Sequence, residues 1–157
     1  MALKPTVIEF ETSDQSRIVA LMNELAVGTG WINFHPRVDP DALPPDNRGL
    51  FSFLSSRGPQ VPLCTWTPAE ASQRHPHVSL GVQHGTGVKA AKRLEDHGIV
   101  VDPRWRVMSD TPKGGLVVGV PSDDDPDVVL TWLLRAGEVL CPVDPMGKWV
   151  AAVYRTT

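Results

Sequence analysis

The chain has 157 residues, the size of one ordinary domain, with 41% hydrophobic and 21% charged residues and a formal net charge of -3. Such a length buries roughly two thirds of the surface an unfolded chain exposes, and the acidic balance excludes a protein whose whole surface is built for nucleic acid, while allowing a local basic patch. No run approaches the roughly 20 apolar residues that span a bilayer, and Met1-Ala-Leu-Lys-Pro-Thr6 lacks the apolar stretch of a secretory signal, so a cytoplasmic protein with no membrane partner is expected.

Val7 to Phe10 reads as an edge strand. Thr12-Ser-Asp-Gln15 has the form of a capping box, after which Ile18, Leu21, Met22 and Leu25 recur at the spacing of one helical face until Gly28 and Gly30. Trp31 to His35 alternates, with Ile32 and Phe34 on one face and Trp31, Asn33 and His35 on the other, as a strand does. Pro36 to Arg48 contains four prolines and is a loop. Asn47 to Ser56, with Leu50, Phe51, Phe53 and Leu54, suggests a short helix over the core or a flap over a pocket. Gln60 to Trp66 resumes strand character. Thr67-Pro-Ala-Glu70 then carries the marks of a helix start, limited to about two turns by Pro76.

His77 to Gln83 alternates as a strand, runs into His84-Gly-Thr-Gly87, and gives way to an amphipathic basic helix over Val88 to Asp96 that Gly98 ends. Trp105 to Met108 and Leu116 to Val120 form a hairpin whose connection, Ser109 to Gly115, is read as a long loop. The strongest helix signal follows: Asp125 as cap, Pro126 at the first turn, Asp123, Asp124 and Asp127 against the dipole, and Val129, Trp132, Leu133, Ala136 and Leu140 along one face. Val128, Leu130 and Leu134 make most of its circumference apolar, so it should be buried. A strand over Lys148 to Tyr154 completes the order. Isolated helices among hairpins define an α+β fold, a mostly antiparallel sheet with three to four helices on one or both faces. The chain reads as a single domain over 1–157, with the ββαβ run over 100–157 as an alternative subdomain.

Cys64 and Cys141 stand in apolar runs far apart and read as reduced, buried thiols. Of the five tryptophans, most are expected in the core. Trp105, between Arg104 and Arg106, is the one that could flank a groove or a homodimer contact, its basic neighbours pointing to the opposite face of the strand.

The strand–glycine turn–helix over 78–96 is the leading site. Turns of this kind aim backbone N–H groups and a helix dipole at whatever lies above them, which favours an anion. Gly85 and Gly87 would supply unusual backbone angles, Thr86 a helix cap, Lys89 a positive charge and His84 a hydrogen bond. Asp110 and Lys113 join the site if the hairpin folds against the turn. The pattern lacks the third glycine of a dinucleotide fingerprint and the Gly-Lys-[Ser/Thr] ending of a P-loop. His75-Pro-His77 has an H-x-H spacing, with His84 or His35 as third partners, but neither a helical H-x-x-x-H nor C-x-x-C is present, and no metal or other cofactor is expected.

Gly85, Gly87, Ala91, Leu94 and Gly98-Ile99 resemble the second half of a helix-hairpin-helix motif, which implies a grip on a DNA phosphate by the amides of 85–88 with Lys89. Thr86 departs from that pattern, and His77 to Gln83 alternates as a strand where the motif has a helix. More broadly, Val61 to Trp66, Gln83 to Lys89, Gly114 to Val118 and Trp132 to Gly137 resemble blocks of small actinobacterial proteins, a resemblance that implies no activity. The expected function is a non-enzymatic binding or regulatory domain that recognises a small phosphate-bearing anion at His84, Gly85, Thr86, Gly87, Lys89, Asp110 and Lys113. A nucleic-acid module using the helix 88–96 (Lys89, Lys92, Arg93) with Arg104 and Arg106, an acid–base enzyme using His84 and Asp110, and a protein-interaction scaffold are the alternatives.

Overall fold

The computed structural model describes residues 3–43 and 58–156. The helix expected over Asn47 to Ser56 lies outside them. Among the described residues seven strands form one antiparallel sheet: β1 (Thr6–Glu11), β2 (Gly30–Pro36), β3 (Leu63–Thr67), β4 (Val78–Gln83), β5 (Arg106–Thr111), β6 (Gly115–Val120) and β7 (Lys148–Arg155), in the spatial order β1-β7-β2-β3-β4-β6-β5. Among the described residues three α-helices accompany them, α1 (Ser16–Ala26), α2 (Ala90–Asp96) and α3 (Pro126–Leu140), besides a single 3-10 turn at Pro40–Ala42. The α+β expectation is therefore met. β1 is an edge strand as read, and β7 enters between β1 and β2, far from the hairpin β5–β6 that precedes it.

Strand alternation decides which face of the sheet is covered. Ile32 and Phe34 of β2, Cys64 and Trp66 of β3, Leu80 and Val82 of β4, and Leu116 and Val118 of β6 all point to one side and are buried. α3 crosses that side over β2, β3 and β4, with α1 beside it and α2 against β5 and β6. Among the described residues the helices thus form a single layer, and none of them lies on the face carrying Trp31, Asn33, Thr65, Ser79 and Val117. Gly137 lets α3 approach the sheet closely: a Cβ there would stand 2.6 Å from the Trp149 ring and 2.9 Å from Cys64 Sγ.

α3 forms as its sequence dictates. The Asp125 side chain accepts from the Asp127 N–H at 2.9 Å, Pro126 occupies the first turn, and Val129, Leu130, Leu133, Leu134, Ala136 and Leu140 are buried. Val128, by contrast, is 58% exposed. Ahead of α1, Thr12 to Gln15 does not act as a capping box; Gln15 reaches instead to Asp127 and Thr131 of α3. That side chain ties two helices together rather than closing one.

Two further expectations are overturned. No helix forms after Thr67, because Pro68 to His77 is the connection between paired strands β3 and β4, and the Gln73 Oε1 accepts from the N–H groups of Glu70 and His77. A side chain thereby satisfies backbone donors that a helix would have used. The hairpin β5–β6 has a short loop, Pro112 to Gly114, since Ser109, Asp110 and Thr111 belong to β5, with a bulge between Val107 and Ser109. Both cysteines are free; Cys64 is buried and Cys141 half-buried, and burial raises both thiol pKa values.

Candidate functional site

The glycine turn is built as follows. β4 ends at Gln83 and His84 turns inward, wholly buried, with its Nδ1 2.9 Å from Thr86 Oγ1 and its Nε2 without a partner. Gly87 has φ +79°, the left-handed conformation that glycine adopts freely. Gly85 has an ordinary backbone angle, contrary to expectation, and serves close approach: a Cβ would lie 2.8 Å from the Pro59 carbonyl oxygen. Thr86 does not cap α2. Its hydroxyl receives the Val88 N–H at 3.4 Å, two residues short of the helix, and Lys89 holds the N-cap position with no side-chain bond.

The cap comes from across the fold. Asp110 of β5 accepts the Ala90 N–H on Oδ1 at 2.8 Å and the Ala91 N–H on Oδ2 at 3.0 Å. The start of α2 does face an anion, as the strand–turn–helix pattern predicts, and that anion is a carboxylate of the chain itself. Burial lowers the His84 pKa and nearby Arg93 lowers it further, while Asp110 acts in the opposite sense. Of the expected residues, His84, Thr86 and Asp110 converge near the turn, and Lys89 and Lys113 are exposed on the surface.

The basic residues are distributed differently. Lys92 pairs with Asp96 at 2.9 Å one turn along α2. Arg104 is clamped between Asp102 at 3.1 Å and Asp124 at 3.0 Å, and Trp105 donates from Nε1 to the same Asp124 at 2.6 Å. Arg104 and Trp105 therefore converge on one carboxylate instead of pointing to opposite faces. Trp105 is buried edge-on against Trp132, just ahead of β5.

A groove of about 520 Å³ opens where the β3–β4 connection meets the open end of the β5–β6 hairpin. Arg74, His75 and His77 come from the connection, Arg104, Arg106 and Met108 from β5 and its approach, and Gly119, Val120 and Pro121 from the end of β6. Apolar atoms of Met108, Pro76 and Pro121 supply its walls, and no carboxylate is among the described residues that line it. Among the described residues, neither Arg74 nor Arg106 has an ion-pair partner. Sequence reading singled out Arg104-Trp-Arg106 and His75-Pro-His77 for other reasons; Arg74 and Met108 carried no signal, because only the fold brings the two segments together. His77 Nδ1 bonds to the His75 carbonyl at 2.9 Å, and among the described residues no three His, Cys, Asp or Glu side chains are grouped to hold a metal. Among the same residues, no helix is long and apolar enough to cross a membrane.

No family model, curated protein or solved structure matches the chain.

Proposed function

We propose that the protein is a non-enzymatic binding domain for an anionic ligand, and that the ligand lies in the basic groove rather than on the glycine turn. One observation carries this reading: among the described residues, two arginines without an ion-pair partner, Arg74 and Arg106, face a partly apolar groove whose lining includes no acid, on a chain whose net charge is negative. The volume suits a small organic anion. The loop that presents Arg74 is held in shape by the two bonds to Gln73, which lowers the ordering cost of binding. At the glycine turn, Asp110 already engages the α2 amides, so an incoming phosphate would have to displace a carboxylate. The same bonds leave Asp110 poorly placed to orient His84 as an acid–base partner. The two free cysteines accord with the reducing cytoplasm.

A thermal-shift and calorimetric screen with inorganic phosphate, pyrophosphate, sugar phosphates and nucleoside monophosphates tests the reading, on wild type, Arg74→Gln, Arg106→Gln and Lys89→Ala. A ligand at 100 times its Kd should stabilise the protein by about 2.7 kcal/mol. That gain should fall in both arginine variants and persist in Lys89→Ala. The opposite pattern would return the ligand to the glycine turn, and no response to any anion would reject the reading.

A further inference from the structure

One edge of the His77 ring is assigned by the backbone beside it. Its Nδ1 lies 2.9 Å from the His75 carbonyl oxygen, and a carbonyl only accepts, so Nδ1 carries the proton. In the neutral imidazole Nε2 is then an acceptor with a lone pair, and it gains a proton only when the ring becomes charged. That Nε2 reaches solvent: among the described residues, the only side-chain nitrogen or oxygen buried without a hydrogen bond is Nε2 of His84. His77 lines the groove, its ring against Gly119 with Cδ2 3.2 Å from where a Cβ would be. Met108 reaches the same point from β5, its Sδ 3.6 Å away. It is the extra residue of the bulge between Val107 and Ser109, and bulges re-aim side chains in this way. The glycine thus seats an imidazole and a thioether together, and Met108 remains 49% exposed.

We propose that the anion is a carboxylate on an aromatic body that also carries a hydroxyl group; this deepens, and rests on, the assignment of the groove. Each part of that ligand answers a lining group. Arg74 and Arg106 have no ion-pair partner among the described residues, and a guanidinium fork matches a carboxylate. Met108 and Pro76 offer exposed apolar surface, and a thioether packs favourably on an aromatic ring. The lone pair on His77 Nε2 repels a bare anion and accepts from a hydroxyl, so an acid without a donor leaves it unsatisfied. A phosphate monoester suits the arginines equally well, but near neutral pH it carries about 1.5 to 2 charges against one for a carboxylate. It therefore loses more hydration beside apolar walls. The groove volume of about 520 Å³ is on the scale of pockets that hold small organic ligands.

The test is titration calorimetry on the full chain at about pH 8, where imidazoles are neutral, with phenylpropanoate, phenyllactate, hydroxyphenylpropanoate, lactate and inorganic phosphate. One of the two hydroxylated aryl acids should bind roughly 2- to 13-fold tighter than phenylpropanoate, the gain from one hydrogen bond. Phenyllactate should bind roughly 4- to 13-fold tighter than lactate, the gain from a ring half-buried in an open groove. Arg74→Gln and Arg106→Gln should weaken every acid. His77→Phe keeps a flat ring beside Gly119 and removes the acceptor, so it should erase the gain from the hydroxyl without weakening phenylpropanoate. Gly119→Val is the second variant: it places a side chain where the imidazole and the thioether meet, and should weaken the aryl acids more than lactate or phosphate. Equal affinity for phenylpropanoate and both hydroxylated acids, or a hydroxyl gain that survives in His77→Phe, would overturn the proposal. Phosphate or lactate binding as tightly as the aryl acids, with dependence on the arginines, would overturn it and leave the groove assignment standing. No binding of any anion would remove both.

Discussion

Replacing Asp110 tests whether α2 is held from outside itself. The helix is short, and its own N-cap residue, Lys89, offers no acceptor, so two first-turn donors depend on one carboxylate from β5. Ala90 is fully buried and water cannot replace its lost bond, whereas Ala91 is half-buried and can be rehydrated. A charge-assisted hydrogen bond contributes about 1.5–3 kcal/mol and an ordinary one about 0.5–1.5 kcal/mol. Asp110→Ala should therefore cost about 2–4 kcal/mol in urea unfolding, or roughly 5–15 °C in Tm for a chain of this size. Asp110→Asn keeps one carbonyl acceptor but loses the charge, and should fall between, at about 1–2 kcal/mol. Ser109→Ala, at the exposed neighbour, should stay within about 0.5 kcal/mol of wild type. Amide exchange at Ala90 and Ala91 should accelerate in the same order. The reasoning is refuted if Asp110→Ala unfolds within about 0.5 kcal/mol of wild type, or if the asparagine variant is no better than alanine.

Gly137→Ala should destabilise the fold by about 1–3 kcal/mol, because the added methyl meets Trp149 and Cys64 in a packed interface; an unchanged denaturation midpoint would show that α3 can move away without cost. His84 has a lowered pKa in the fold relative to an unfolded value near 6.5, so the unfolded state binds more protons as the pH falls below that value. Stability should be constant above about pH 6.5 and decline below it, with a slope of at most about 1.4 kcal/mol per pH unit from this group; His84→Gln should flatten the profile, and His35, whose pKa burial also lowers, accounts for a residual slope of the same sign. A thiol reagent applied to the native protein should modify Cys141 slowly and Cys64 only on unfolding, since Cys64 is fully buried and its pKa raised; labelling of Cys64 under native conditions at the rate of Cys141 would contradict the packing beneath α3.

Elements whose two sides differ were legible in the sequence. β2 buries Ile32 and Phe34 and exposes His35, and α3 carries its cap, its proline and its apolar face in consecutive residues. β5 was not fully legible, because an edge strand with both sides largely in solvent has no alternation to read; Ser109, Asp110 and Thr111 looked like a loop. Thr67-Pro-Ala-Glu70 shows the converse: local residues matched a helix start, and a long-range requirement, the pairing of β3 with β4, decided otherwise. The strand–turn–helix at the candidate site was recognisable, but Asp110 as its cap was not, since that contact joins residues some twenty positions apart. The groove was the least legible feature. Its charge comes from Arg74 and Arg106, on separate loops and strands, and becomes a patch only when β4 and β6 pair.

The position of β7 has a consequence for how the chain folds during synthesis. Residues 6–11 and 30–36 leave the ribosome early, yet they never pair with each other; each pairs with 148–155. Until that segment emerges, β1 has no partner strand and β2 carries an open edge on an apolar strand, the kind of surface that invites pairing with another chain. Sheet closure must wait for a contact of very long sequence separation, which slows folding. Nascent chains stalled before residue 148 should therefore engage chaperones more strongly than those stalled after 155, placing the hazard in translation timing rather than in the finished molecule.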